Sequence, residues 1–114
     1  TIDELVAEFK AKYFLKAVYK NKIIGSVRGY QKGDTGFINR LIVLPEYQNQ
    51  GVGKQLLFAI EKYFDSAKRY ELYTGFRSER NLYLYEKYGY KKFKTINEDE
   101  HLTLIFLEKI NQLS

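Results

Sequence analysis

The chain has 114 residues, 45% of them hydrophobic, 29% charged and 17% aromatic, with a net charge of +5, which suits one domain over residues 1–114 with a single core. No apolar run approaches the roughly 18 to 20 residues that span a bilayer and no signal-peptide pattern opens the sequence, so a cytoplasmic protein without membrane contact is expected. With no Cys and one His, disulfides, thiolate nucleophiles and Cys- or His-rich metal sites are excluded, and no metal is expected.

Thr1-Ile2-Asp3-Glu4 has the form of a capping box, and Ile2, Leu5, Val6, Phe9 and Tyr13 recur at helical spacing. An amphipathic helix ending near Lys12 is therefore expected. Phe14 to Tyr19 and Ile23 to Tyr30 read as strands joined by a turn at Asn21, a residue that tolerates left-handed backbone. Gly25 marks a bulge, a close backbone approach or simply a weak point in the second strand. A turn at Lys32-Gly33-Asp34 leads to a strand from Gly36 to Leu44, which completes an antiparallel meander.

Pro45 stops that strand, since it has no N–H to offer a ladder. Gln50-Gly51-Val52-Gly53-Lys54 then opens a helix from Val52 to about Ala67, with Val52, Leu56, Leu57, Ile60 and Phe64 on one face. Tyr70 to Thr74 follows as a short strand, which the helical crossover makes parallel to the strand ending at Leu44. Ser78 to Tyr88 is a second helix ended by Gly89, and Tyr90 to Thr95 with Leu102 to Glu108 forms a closing hairpin. The Asn97-Glu98-Asp99-Glu100 loop between them reads as a solvated turn, and His101 as a surface residue. Lys and Arg are scattered along the chain, so the positive charge reads as a solvated surface and no nucleic-acid partner is expected.

The glycine loop carries the chemistry. The first turn of a helix leaves backbone N–H groups without internal partners at the positive end of the dipole, Gly51 and Gly53 let an anion approach them, and Lys54 adds charge. A P-loop would need Gly at position 48 and Ser or Thr at 55, where Gln48 and Gln55 stand. A dinucleotide fingerprint would need Gly at position 56 and an early βαβ unit, where the chain has Leu56 and a meander.

The remaining pattern, Gln48-x-x-Gly51-x-Gly53 behind an apolar strand and Pro45, resembles motif A of the Gcn5-related N-acetyltransferases (GNAT). The stretch Ser78-Glu79-Arg80-Asn81-Leu82-Tyr83-Leu84-Tyr85-Glu86-Lys87-Tyr88-Gly89-Tyr90 is similar to a second signature of that family. The likeness runs from about Phe14 to Glu108. It implies an α/β (α+β) GNAT-like fold: a mixed, mostly antiparallel sheet with a central splayed parallel pair, flanked by helices, with the N-terminal strand and helix missing or reduced to residues 1–12. A trimmed or compact member is implied.

The resemblance further implies an N-acetyltransferase that uses acetyl-CoA as co-substrate. A primary amine of a small molecule or a protein would attack the thioester directly. Gln48, Asn49, Gln50, Gly51, Val52, Gly53 and Lys54 would hold the pyrophosphate, and Leu41, Ile42 and Val43 the pantetheine arm. Tyr85 would meet the cofactor and act as general acid, although spacing alone fits a core-facing helix aromatic equally well. Ser78 stands where the family usually has an Asn, so its contact passes to Ser78 or to Asn81. Asn39 stands where several members place a Glu that takes the amine proton, and Asn cannot be a base; a water chain, Glu71 or bulk solvent would take that role. These two departures motivate the alternative of a non-catalytic acetyl-CoA-binding sensor or subunit. Tyr13, Tyr30, Tyr73 and Phe76 are candidate acceptor-lining residues, and a homodimer, common in the family, stays open.

Overall fold

The computed structural model describes residues 2–9 and 13–112. Its strands are β1 (Glu4–Phe9), β2 (Tyr13–Tyr19), β3 (Lys22–Lys32), β4 (Thr35–Val43), β5 (Arg69–Gly75), β6 (Lys91–Asn97) and β7 (Thr103–Ile110). Its helices are α1 (Val52–Tyr63) and α2 (Glu79–Lys87), with a 3-10 turn at Pro45–Tyr47. The strands form one sheet in the order β1-β2-β3-β4-β5-β7-β6. Among the described residues the one parallel pair is β4 with β5.

The expected helix at the start is a strand. Glu4–Phe9 pairs antiparallel with β2 from Glu4↔Val18 to Phe9↔Tyr13, and Asp3 fastens the entry, its N–H donating to the Val18 carbonyl and its carboxylate accepting the Lys20 N–H at 2.8 Å. Over so short a run, apolar residues at helical spacing also satisfy an alternating pattern, and a free strand edge decides between them. The Thr1 cap and Lys12 lie outside the described residues.

The meander follows the turn chemistry. Lys20 and Asn21 both have positive φ, 50° and 61°, as a two-residue hairpin turn requires. A register shift beside Gly25 confirms a bulge, since Ala17 pairs with Gly25 and Val18 with Ile23. The helix lies so close here that glycine is needed: a Cβ on Gly29 would stand 2.7 Å from Phe64 and 2.9 Å from the Phe37 carbonyl. The closing hairpin also forms, but β7 inserts between β5 and β6, pairing with both.

Helix α1 buries Val52, Leu56, Leu57 and Ile60 against Leu15, Ala17, Val27 and Ile38 of the sheet, each large aliphatic contributing about 1.5–3 kcal/mol. It stops at Tyr63 rather than Ala67, because the Asn111 side-chain amide donates to the Asp65 and Ala67 carbonyls at 3.0 and 2.8 Å and holds those residues in a turn. Helix α2 lies on the same face: Leu84 closes over Gly53, and the Tyr88 ring meets Phe58 edge-on at 5.2 Å. Among the described residues no helix covers the opposite face. That face carries Phe14 beside Arg28, and the cross-strand rows Tyr30–Phe37–Glu71–Glu108 and Tyr73–Phe106.

Candidate functional site

The parallel pair is short. β4 and β5 pair only from Thr35↔Arg69 to Ile38↔Leu72. Beyond Ile38 the β4 backbone turns aside at Arg40, where φ is +52° and the register with β3 shifts. Asn39 to Val43 therefore leaves Tyr73 to Gly75, and a gap opens between parallel strands that are joined lower down. Such bulges bend a strand and re-aim its polar groups.

One wall of the gap continues into a cavity of ≈ 460 Å³, a size that suits a ligand pocket. Leu41, Ile42 and Val43 of β4 line it, as do Gln48, Asn49, Gly51, Gly53 and Lys54 of the loop and helix start, and Asn81 of α2. These are nine of the thirteen residues expected from the sequence. The loop is shaped for an anion. Gln55 is the first residue whose N–H finds an intrahelical acceptor, the Gly51 carbonyl, so Val52, Gly53 and Lys54 lack one, and no side chain caps the end. Asn49 and Gly51 are left-handed, with φ of 63° and 84°, which turns successive N–H groups toward one concavity.

The four remaining expected residues sit beside the cavity rather than in its lining. The Val52 side chain is buried in the core, which leaves only its backbone for a ligand. Gln50 turns away, its amide donating to the Glu46 carbonyl at 3.0 Å. Ser78 is the cap residue of α2, its hydroxyl beside Gly75 at the end of β5. Tyr85 is 4% exposed and its ring packs on Tyr90 at 5.9 Å. Among the described residues its hydroxyl has no hydrogen-bond partner, and it is not wholly shut off from solvent, since no fully buried side-chain oxygen or nitrogen there lacks a partner. Burial pushes its pKa upward and keeps it protonated.

Behind Tyr85 lies a polar cluster. The Tyr90 hydroxyl donates to Glu61 at 2.7 Å, Lys109 Nζ reaches the same carboxylate at 3.0 Å, and the Tyr70 hydroxyl donates to the Glu61 and Phe64 carbonyls. Burial, aided by Glu61 and Asp65, pushes Tyr70 up to about 12. Tyr90 also shifts upward, through burial first and then Glu61.

Sequence reasoning missed Arg80, Tyr83, Leu84, Lys87 and Tyr88, all of which line the cavity. The signal was available as helical spacing: from Asn81, steps of three and four along α2 reach Leu84 and Tyr88, and from Arg80 they reach Tyr83 and Lys87. Lys54 lies over the Phe58 and Tyr88 rings, and Lys87 over Tyr83 and Tyr88, at 5.7–5.9 Å. Lys54, Arg80 and Lys87 have no carboxylate partner among the described residues, so the cavity holds uncompensated positive charge. Gln48 clasps the loop to the strand, its amide donating to the Val43 carbonyl at 3.0 Å.

Of the other candidates, Tyr13 packs against Tyr63 and Phe64 on the α1 side, whereas Tyr30 stacks on Phe37 on the uncovered face. Tyr73 and Phe76 are exposed at the open end of the gap. Glu71 is engaged: its carboxylate accepts from Arg69 at 3.0 Å. Among the described residues no group of His, Asp and Glu could hold a metal ion, and no helix is long and apolar enough to cross a membrane.

Among curated proteins none matches the chain. Solved structures do match. One is a GNAT family acetyltransferase from Elizabethkingia anophelis with acetyl-CoA bound, at 29% identity over 88% of this chain and 76% of that one, with a TM-score of 0.72. Another is the IAA acetyltransferase from Bacillus cereus, at 22% identity, 87% and 77% coverage and a TM-score of 0.75. The ribosomal-protein-S18-alanine N-acetyltransferase from Escherichia coli shares the fold at 16% identity, 94% and 74% coverage and a TM-score of 0.79. The profile of the acetyltransferase (GNAT) family matches residues 2–90. With that match over most of its length, and with the splayed parallel pair and glycine loop in place, the chain belongs to the acetyltransferase (GNAT) family and is an acyltransferase.

Proposed function

We propose that the protein transfers the acetyl group of acetyl-CoA to a primary amine by direct attack on the thioester. The observation that carries this is the cavity running from the edge of β4 at Leu41–Val43, left by β5, to the uncapped start of α1, with Lys54, Arg80 and Lys87 around it and no carboxylate paired to them among the described residues. The N–H groups of Val52, Gly53 and Lys54 suit a pyrophosphate. Arg80 and Lys87 suit the further phosphate of CoA. The strand edge suits the pantetheine amides, which would lie there as an added strand.

That placement directs the thioester into the gap past Ile38 and Leu72. The amine nitrogen attacks the carbonyl carbon, the N–C bond forms, the C–S bond breaks, and the thiolate leaves. Holding the two reactants together supplies most of the rate. Tyr85 supports the departing sulfur. Its raised pKa makes full proton transfer to a thiolate, whose acid ordinarily titrates at about 8.5, uphill. Its contribution is therefore a hydrogen bond to the departing thiolate, and the tyrosine keeps its own proton throughout. Asn39 is no base, and Glu71 is held by Arg69, so the amine proton leaves to the water that reaches the uncovered face.

Incubating protein and acetyl-CoA with a panel of amines, and measuring free thiol, tests the reading. Thiol release that depends on the amine is expected; none with any acceptor overturns it. The rival reading, binding without turnover, draws on Asn39 and predicts that acetyl-CoA raises Tm while no thiol appears.

A further inference from the structure

We infer that the acceptor is an amino group carried on an acidic, extended stretch of polypeptide that lies across the uncovered face of the sheet. This rests on the acetyl-transfer reading of the same site. The open end of the gap, past Ile38 and Leu72, gives onto that face at Asn39 and Tyr73. Around it lie two aromatic pairs, Tyr30 with Phe37 at 5.1 Å and Tyr73 with Phe106 at 5.3 Å. Tyr73 is 47% exposed.

A pocket for a small molecule encloses about 70–90% of its ligand. Among the described residues nothing rises over this face to close around an amine, and its aromatic pairs form a broad platform rather than a cup. An extended peptide needs no roof. It gains contact area from flat aromatic surface and from backbone at a strand edge, and only its amino group has to enter the gap.

Charge then selects among peptides. The carboxylates beside the gap, Glu71 and Glu108, are both taken by Arg69 at 3.0 Å, so neither is free to receive an incoming cation; Glu4 shares the face from the outer strand, opposite Val18. Arg28 faces Asn39 across the β3–β4 ladder, Arg40 follows Asn39 at the bend, and Arg77 lies just beyond the end of β5. All three are exposed and have no carboxylate partner among the described residues. Arg28 and Arg77 are held instead over aromatic rings, at 4.9 Å from Phe14 and 5.3 Å from Phe76. Guanidinium groups so placed attract carboxylates and repel cationic acceptors.

The test compares four acceptors by acetyl-CoA-dependent thiol release: a ten-residue peptide with one free α-amino group and Asp or Glu at positions three to six, its counterpart with trimethyllysine there, which keeps the positive charge and cannot be acetylated, and the small amines tyramine and spermidine. The acidic peptide is expected to have a kcat/KM at least about tenfold above the other three. Arg28→Glu and Arg77→Glu should each erase most of that advantage while leaving the KM for acetyl-CoA as it was, which also reports that the variant is folded. Equal or better use of the basic peptide or of a small amine overturns the inference and leaves acetyl transfer standing; no thiol from any acceptor overturns both. A dimer that Tyr73→Lys dissociates would show that a second copy covers the face, and would equally overturn it.

Discussion

The two ends of the β4–β5 pair differ in almost every physical respect. At the closed end, four residue pairs join the strands, and Gly36, Tyr70, Leu72 and Phe64 pack into a dry core with the Tyr70 hydroxyl satisfied by α1 carbonyls. At the open end the same two strands separate at Arg40, polar groups face a cavity, N–H groups are left uncapped, and Lys54, Arg80 and Lys87 have no carboxylate partner among the described residues. The closed end spends its side chains on stability, which lets the open end keep unsatisfied groups for a ligand. Substitutions at the closed end should therefore change unfolding and spare chemistry, and those at the open end should do the reverse.

The largest effect is expected at the closed end. Phe64 is 1% exposed and touches Gly29, Gly36 and Tyr13, so Phe64→Ala should cost about 3–5 kcal/mol, read as a lower denaturant midpoint with the same slope. At the open end, Tyr85→Phe should reduce kcat by about a hundredfold, as loss of one donor to developing negative charge does, while Tm barely moves, because the lost hydroxyl makes no hydrogen bond within the described residues. A large fall in Tm would place Tyr85 with the closed end.

Alkaline pH separates the ends again. Tyr70 has a folded pKa pushed up to about 12, above its ordinary 10. Its contribution is thus fully present below pH 10 and is lost as pH climbs through about 12. Unfolding followed between pH 9 and 12 should show stability falling over that window, and Tyr70→Phe should flatten the fall while lowering stability at neutral pH through the two lost hydrogen bonds. A slope unaltered by the substitution would contradict the assignment.

Smaller effects belong to the loop. Gly51 has φ of 84°, so Gly51→Ala should cost about 1–2 kcal/mol and weaken acetyl-CoA binding along with it. Lys54→Ala should raise the dissociation constant for acetyl-CoA about fivefold, corresponding to ~1 kcal/mol. Calorimetry at low and high salt checks this, since the difference between the two proteins should shrink as salt rises.

Much of the open end was legible in the sequence because its chemistry is local. Pro45, Gly51, Gly53 and the apolar stripe of α1 are consecutive, and a helix N-terminus behind a strand exposes its N–H groups whatever the rest of the chain does. Asn21 and Gly33 likewise announced their turns through their own backbone preferences. Residues 4–9 were misread because their pattern fits both periods, and the partner that makes them a strand, Tyr13–Tyr19, exerts its effect only across a ladder. Arg80, Tyr83, Lys87 and Tyr88 escaped notice because on α2 alone they form an ordinary polar face, and become cavity lining only where Leu84 closes over Gly53.

The sequence by itself determined an anion-binding loop at a helix start, the meander that leads into it and the second helix with Tyr85, all through backbone stereochemistry and residue spacing. Tertiary structure alone decided that β7 slips between β5 and β6, that Tyr90, Glu61 and Lys109 meet behind Tyr85, and that β4 parts from β5 at Arg40 to open a gap onto an uncovered face. Those outcomes join residues far apart in the chain, and the free energy that selects them comes from packing and hydrogen bonding between elements, which no single stretch of sequence contains.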